Sequence, residues 1–410
     1  MPPRRLGSSL EALTELLDLR PSEPRSGVPS TRAELGVVAG RSGPRFLVPL
    51  DFPDASPEAC LAYLGLRDLK TRASRGAVGW AFKAHLGGLV ARERLTADAG
   101  PGSLIGLLAE LLADPDEEAG LAVAVGMGRR DEVWKPTLQV FRPDGTPAAF
   151  VKVGLGPVGD QLVATEATTL AEWARFGDPR LVVPDLIADT TWNGLRIAVV
   201  APLPEDVRRL PAGAPSAWSV RQLDGPEEQL ILADSPWWKQ RRAACADQPA
   251  ADRLLDRIAS RHDDRHAHRW ARWHGDWVPW NLARCHRGLV AWDWEYSEAG
   301  APVGLDEVHG AYQHARVVAG RPIADALAAA RATATRLAST TPSPASPERL
   351  RARAGADTAE PLAASPAWLA DLHVAMLVTR SAELERLLEH PPADQGELLT
   401  AATSALGSAP

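Results

Sequence analysis

Between His274 and Glu295 the chain reads HGDWVPWNLARCHRGLVAWDWE. Three side chains there have the types and spacing to do chemistry together. Asp276 is separated from Asn281 by four residues, and a second acid, Asp293, follows a short apolar run. Acid, amide and acid in that order suit phosphoryl transfer. That reaction needs little covalent help; it needs the accepting oxygen positioned and the phosphate charge neutralised. One carboxylate beside an acceptor hydroxyl serves the first need. An amide oxygen and another carboxylate on Mg2+ serve the second.

Other chemistry-bearing residues nearby are weaker candidates. His262, His266 and His268 with Asp263 and Asp264 sit in RHDDRHAHRW, a spacing that matches no standard zinc pattern. A solvated helix end is expected there. Cys285 is expected to be a small buried residue of a hairpin, not a nucleophile. Trp270, Trp273, Trp277, Trp280, Trp292 and Trp294 surround the acids. Packing behind the loop is their expected role, with Trp277 and Trp280 placed where one can touch a substrate. A P-loop, a nucleophile elbow and an H-E-x-x-H helix are absent.

The elements that must position these residues follow from the apolar pattern. LAVAVGMG is a short apolar strand ending in Gly126-Met127-Gly128. KPTLQVFRPDG and TPAAFVKVG are two further strands, and Asp144-Gly145 between them marks a hairpin bend. A helix is expected over residues 161–176, then strands at 181–187 and 196–200. Beyond Pro204 the pattern is mostly helical. One hairpin, residues 281–294, interrupts it and turns at His286-Arg287-Gly288. Residues 340–366 resemble a loop or loose helical insert, and Ala367 to Leu388 a closing helix. Further upstream, residues 1–35 are rich in Pro, Ser and Arg and are expected to be a mobile leader with one short helix near Leu10 to Leu19. A strand at 45–50 and helical stretches at 56–64, 89–95 and 104–112 fill the next unit.

With these elements in place, H-G-D-x-x-x-x-N followed by D-W-E resembles the aminoglycoside phosphotransferase and small-molecule kinase family, a branch of the protein-kinase-like fold. The resemblance covers about residues 120–390. It implies an α+β fold of two lobes, a small antiparallel-sheet N-lobe and a helical C-lobe, with ATP in the cleft and an extra N-terminal unit ahead. The division would be a flexible leader (1–35), an accessory unit (36–118), an N-lobe (119–203), a C-lobe (204–392) and a tail (393–410). By the resemblance Asp276 is the catalytic base, braced by His274, and Asn281 and Asp293 are Mg2+ ligands. Lys152 in FVKV would contact the phosphates of ATP, and Glu166 in the following helix would orient it. Gly126 and Gly128 would cover the phosphates, and Val200, Ala201 and Leu203 would form the adenine hinge. Two departures stand out. Gly275 replaces the arginine of H-R-D, and Glu295 replaces the glycine of D-F-G. With the short run after Glu295, they disfavour a regulated protein kinase and favour an open site for a small hydroxylated acceptor. Glu295, Glu298 and Asp306 form an acidic rim suited to a cationic acceptor, and Glu295, Asp306 and Trp277 are its candidate contacts.

The bulk numbers agree with a globular enzyme. The chain has 410 residues, 45% hydrophobic and 24% charged, with a net charge of -7. A basic footprint for nucleic acid is missing. No stretch approaches the ~20 apolar residues that span a membrane. Three scattered cysteines, Cys60, Cys245 and Cys285, suggest no disulfide framework and fit a reducing cytoplasm. The alternative from another class is a nucleotide-binding pseudokinase or scaffold without phosphotransfer.

Overall fold

Apolar alternation builds the first half of the chain into one long sheet. The computed structural model describes residues 9–22, 31–40, 43–113, 120–127, 132–176, 181–210, 228–262, 267–340 and 366–407. Helix α1 (Ser9–Leu17) is followed by strands β1 (Arg20–Pro21), β2 (Arg32–Gly40) and β3 (Gly43–Pro49). Helices α2 (Ala55–Leu61), α3 (Leu69–Lys83) and α4 (Gly87–Val90) precede β4 (Glu93–Asp98) and α5 (Leu104–Leu111). Then come β5 (Ala122–Gly126), β6 (Thr137–Phe141), β7 (Pro147–Val153), α6 (Gly156–Phe176), β8 (Leu181–Val182), β9 (Leu186–Trp192) and β10 (Leu195–Val200). Nine of these strands form an antiparallel sheet in the order β1-β4-β2-β3-β5-β6-β7-β10-β9.

The strand period of two sorts side chains onto the two faces. Val123 and Val125 of β5, Val151 and Val153 of β7, and Ile197 and Val199 of β10 share one core with Leu13 of α1 and Leu108 of α5. Ala122 and Ala124, one residue out of phase, join Val48 and the α2 residues Ala59 and Cys60. Ala198 packs on Val163 and Ala167 of α6. The β6–β7 hairpin closes at Asp144-Gly145, as the sequence predicts. Gly145 has φ +86°, its N–H donates to Arg142 O (2.9 Å), and a Cβ there would lie 2.7 Å from Asp54 O. Only glycine meets both demands.

Several expectations change here. The 89–95 stretch is not helical: α4 ends at Val90, and β4 begins at Glu93 with Leu95 and Ala97 alternating into the core. The strands of the expected accessory unit join the same sheet as β5 to β10, so the sheet is larger than the small one expected. Within the expected leader, α1 buries Leu13, Leu16 and Leu17.

The chain divides into two compact units. The first takes Met1–Ala174, Val182–Leu210 and Ala283–Glu295; the second takes Arg175–Leu181, Pro211–Leu282 and Tyr296–Pro410. The later strands are β11 (Arg208–Arg209), β12 (Glu228–Leu230), β13 (His268–Trp273), β14 (Leu282–Cys285), β15 (Gly288–Ala291) and β16 (Glu298–Pro302). β14 and β15 are the expected hairpin and lie in a four-stranded sheet ordered β11-β14-β15-β8. The second unit is less purely helical than expected, because β12, β13 and β16 form a sheet of their own. Its helices are α7 (Pro236–Cys245), α8 (Pro249–Arg261), α9 (Leu305–Gln313), α10 (Ile323–Thr340), α11 (Pro366–Leu388) and α12 (Gln395–Ala405). Trp237, Trp270 and Trp368 are buried in its core, with Trp270 lying edge-on to Trp368 at 5.9 Å. Residues 393–410 were expected to be a tail, yet α12 buries Leu398, Ala401 and Ala402 against that core. Of the expected 340–366 insert, residues 341–365 lie outside the described residues.

Candidate active site

In the first unit, Lys152 reaches Glu166 because two periods coincide. Val151 and Val153 face the α1 and α5 side of the sheet, so Lys152 between them faces the other side. On α6, Val163, Glu166, Ala167 and Leu170 fall on one buried stripe at helical spacing. Lys152 Nζ donates to Glu166 Oε1 at 2.7 Å and to Asp293 Oδ1 at 2.5 Å. Glu295 Oε2 stands 3.9 Å from the same nitrogen and is ion-paired with Lys135. Burial disfavours the Lys152 ammonium, but Asp293, Glu166 and Glu295 outweigh it and hold its pKa above the ordinary value. For Glu166, burial pushes the carboxyl up and the Lys152 charge opposes the push. Asp293 is held at φ +64°, a strained backbone for an aspartate.

This cluster fits a hard divalent cation. Oxygens of Glu166, Asp293 and Glu295 lie within 4.8 Å of one another. An all-oxygen carboxylate set is what Mg2+ takes, and Lys152 is placed as a point charge for phosphate.

In the second unit, the loop 274–281 is fixed mainly through its backbone. The Asp306 carboxylate accepts from the N–H groups of His274 (2.8 Å) and Gly275 (2.9 Å). His274 is fully buried, its Nδ1 accepts from the N–H of Asp276 (3.2 Å), and its ring meets Trp277 edge-on. Asn281 Nδ2 donates to Asp276 Oδ2 (2.8 Å) and to Asp276 O (3.2 Å). The Asp276 carboxylate is therefore held by a neutral donor. With its amide nitrogen on Asp276, Asn281 has its carbonyl oxygen as the atom to offer a metal.

The remaining expected residues are placed as follows. Asp306 has no exposed surface and spends both oxygens on backbone N–H groups, so it is a loop anchor rather than a substrate contact. Burial pushes its carboxyl up to about 6, against the pull of those two N–H groups and of Arg380. Trp277 is likewise buried at 1% exposure, whereas Trp280 is 39% exposed. The acidic rim is largely compensated, since Glu295 pairs with Lys135 and Glu298 pairs with Arg241. Gly126 ends β5 with open space where a Cβ would stand. Gly128 lies outside the described residues. At the expected hinge, Val200 is buried at the end of β10. The Ala201 N–H donates to Asp185 O, and Leu203 O accepts from the Tyr63 hydroxyl. His262 is not solvated: it bonds to the buried Asp371 at 3.0 Å, and His268 stacks on Trp368 at 3.6 Å. Asp263, Asp264 and His266 lie outside the described residues. Cys285 packs beside Val182, Leu203 and Val290, as a small hydrophobe would.

No protein-family profile matches the chain, and no curated protein matches it. Solved structures do. A thermostable mutant of aminoglycoside phosphotransferase APH(4)-Ia is 13% identical over 74% of this chain and 98% of its own, with a TM-score of 0.42. A putative fructosamine-3-kinase from Haemophilus somnus 129PT is 9% identical over 74% and 96%, with a TM-score of 0.38. A glucosamine kinase is 18% identical over 94% and 92%, with a TM-score of 0.34. The chain resembles the aminoglycoside phosphotransferases and small-molecule kinases.

Sequence reasoning missed three features. Lys135 lies just ahead of β6, and its only local signal is its position after the glycine-ended β5. Arg380 bonds to Gly275 from 105 residues away, beyond the reach of any local motif. A full G-x-G-x-x-G run, Gly154 to Gly159, joins β7 to α6. It is not a dinucleotide fingerprint here, because β7 pairs antiparallel on both sides and no parallel βαβ unit exists around it. Gly154 serves close packing instead, since a Cβ on it would lie 2.8 Å from Asp160 Cα, and Gly156 supplies a backbone φ of +70°.

Proposed function

We propose that the chain is an ATP·Mg2+-dependent phosphotransferase acting on a hydroxyl of a small molecule. The observation that carries this reading is the buried Lys152, held between Glu166 and Asp293 on the face of the sheet opposite α1 and α5. An ammonium fixed by a helix glutamate, beside an acid with metal-ligand chemistry, is the phosphate-handling half of such an enzyme. The loop carrying Asp276 and Asn281 supplies the acceptor-handling half.

Mg2+, when bound, would supply positive charge against the phosphates. Glu166 keeps Lys152 charged and aimed, so its ammonium presents a fixed positive point to phosphate. Asp293, with Glu166 and Glu295 beside it, would hold the metal. Asp276 orients the acceptor hydroxyl and takes its proton as the oxygen attacks. The Asn281 amide, bonded to the Asp276 carboxylate, sets the direction of that carboxylate. His274 and Asp306 keep the loop backbone in place.

Calorimetric titration with Mg2+-ATP tests the assignment without knowledge of the acceptor. Wild-type protein and Asp276→Asn are expected to bind equally well. The double variant Lys152→Met, Glu166→Gln removes the pair together, so neither member is left as a lone buried charge. It is expected to bind at least about tenfold more weakly, the equivalent of ~1.4 kcal/mol. No binding by the wild-type protein would remove the reading. Binding with no turnover on any acceptor would favour a nucleotide-binding scaffold.

A further inference from the structure

Gly275 marks a departure from H-R-D, and the structure gives it a physical reason. Its φ is +83°, and a Cβ on it would lie 2.0 Å from the carbonyl oxygen of Tyr296. The two backbones are in direct contact, and no side chain can grow from position 275. A guanidinium nevertheless reaches the loop, from α11. Arg380 Nη1 donates to Gly275 O at 3.1 Å and Nη2 donates to Tyr296 O at 3.4 Å. Its plane is held between two rings, with the guanidinium carbon 4.8 Å from the Trp273 centroid and 4.6 Å from the Tyr296 centroid.

The consequence is local and geometric. The Gly275 carbonyl and the Asp276 N–H belong to one planar peptide unit. Arg380 takes the carbonyl end of that plane, and His274 Nδ1 takes the N–H end. The N–H groups of residues 274 and 275 are already on Asp306. Three successive peptide planes are thereby fixed up to the Asp276 Cα. Only the side-chain torsions of Asp276 remain, and Asn281 holds its carboxylate. Arg380 also ties the loop to Tyr296, the residue that follows Glu295. A lysine in its place has no planar fork and cannot span both carbonyls while stacked between the rings.

We propose that Arg380 is a positioning residue for Asp276, fixing the orientation of the 275–276 peptide from the closing helix. The proposal deepens the kinase reading and takes from it the role of Asp276. A misplacement of about 1 Å at a reacting group costs ~100-fold in rate. Arg380→Met is therefore expected to lower kcat for phosphotransfer ~100-fold and leave KM for ATP and ATP affinity within about twofold. Arg380→Lys, able to hold one carbonyl, is expected to recover part of that loss.

The test pairs these kinetics with hydrogen–deuterium exchange on the full-length protein. In Arg380→Met, peptides covering residues 274–281 are expected to exchange faster, while peptides of β5 to β7 exchange as in wild type. Wild-type exchange in that loop, or unchanged kcat in a folded Arg380→Met protein, would overturn the proposal. So would exchange accelerated across the whole second unit in both variants, which would mark a packing role. The exchange result does not depend on finding an acceptor. A loosened loop combined with full turnover by Asp276→Asn would keep the positioning role and remove the assignment of Asp276 as the base.

Discussion

At the residue scale, charge burial decides which groups act and which only hold. Lys152 and Glu166 form a buried ion pair, with the half-exposed Asp293 as a second partner of the lysine. Asp306 is the opposite case: a lone acid whose partners are neutral N–H groups, and burial raises it from 3.8 to about 6. The sign of its effect follows. The folded protein binds this proton more tightly than the unfolded chain, so the group favours folding below pH ~4 and loses that contribution as pH rises through 6. Two pKa units at ~1.4 kcal/mol each make the swing roughly 3 kcal/mol. Activity runs the other way, since a protonated Asp306 is a poorer acceptor for the His274 and Gly275 N–H groups. The wild-type enzyme is expected to lose kcat as pH falls through about 6. Asp306→Asn is expected to be slower at pH 7.5 and flat across that window. Parallel pH–rate profiles settle it: the same acid limb in both proteins would assign the limb to another group.

At the element scale, the parts of the site built by local periods were legible and the parts built by distant contacts were not. Lys152 and Glu166 were picked out through the family resemblance, and local periods then place them: strand alternation puts Lys152 opposite Val151 and Val153, and Glu166 rides the apolar stripe of α6. The Asp144-Gly145 bend and the β14–β15 hairpin carried their own turn signals. Strand β4 was misread as helix because Leu89 to Leu95 is too short a stretch to distinguish the two periods. The anchoring role of Asp306 arises from bonds 31 and 32 residues long, and that of Arg380 from one of 105. Gly275 belongs to this scale, because it lets one backbone segment lie against another. Gly275→Ala combines an unfavourable φ with a collision against Tyr296 O. It is expected to destabilise the protein by at least ~2 kcal/mol, read as a lower urea midpoint, and to abolish turnover. A wild-type midpoint would mean the two backbones part at no cost.

At the scale of the whole molecule, the boundaries suggested by composition gave way to the sheet. The Pro-rich stretch 1–35 and the following residues 36–118 read as separate pieces, yet α1, β2, β3 and β4 share one core with β5, β7 and β10. Composition reports solvation, whereas sheet pairing depends on partners that a linear reading cannot see. The acids of the kinase-like motif are likewise divided, with Asp293 grouped with the sheet unit and Asp276 with the helical one. Among the described residues, no helix is long and apolar enough to cross a membrane. The central claim is acceptor-dependent phosphotransfer through Asp276, and ADP release from Mg2+-ATP across a panel of sugars, aminocyclitols, aminoglycosides and other hydroxylated metabolites tests it most directly. The account predicts ADP formation that requires one class of acceptor and disappears in Asp276→Asn with ATP binding retained. Equal ADP formation by wild type and Asp276→Asn would contradict it.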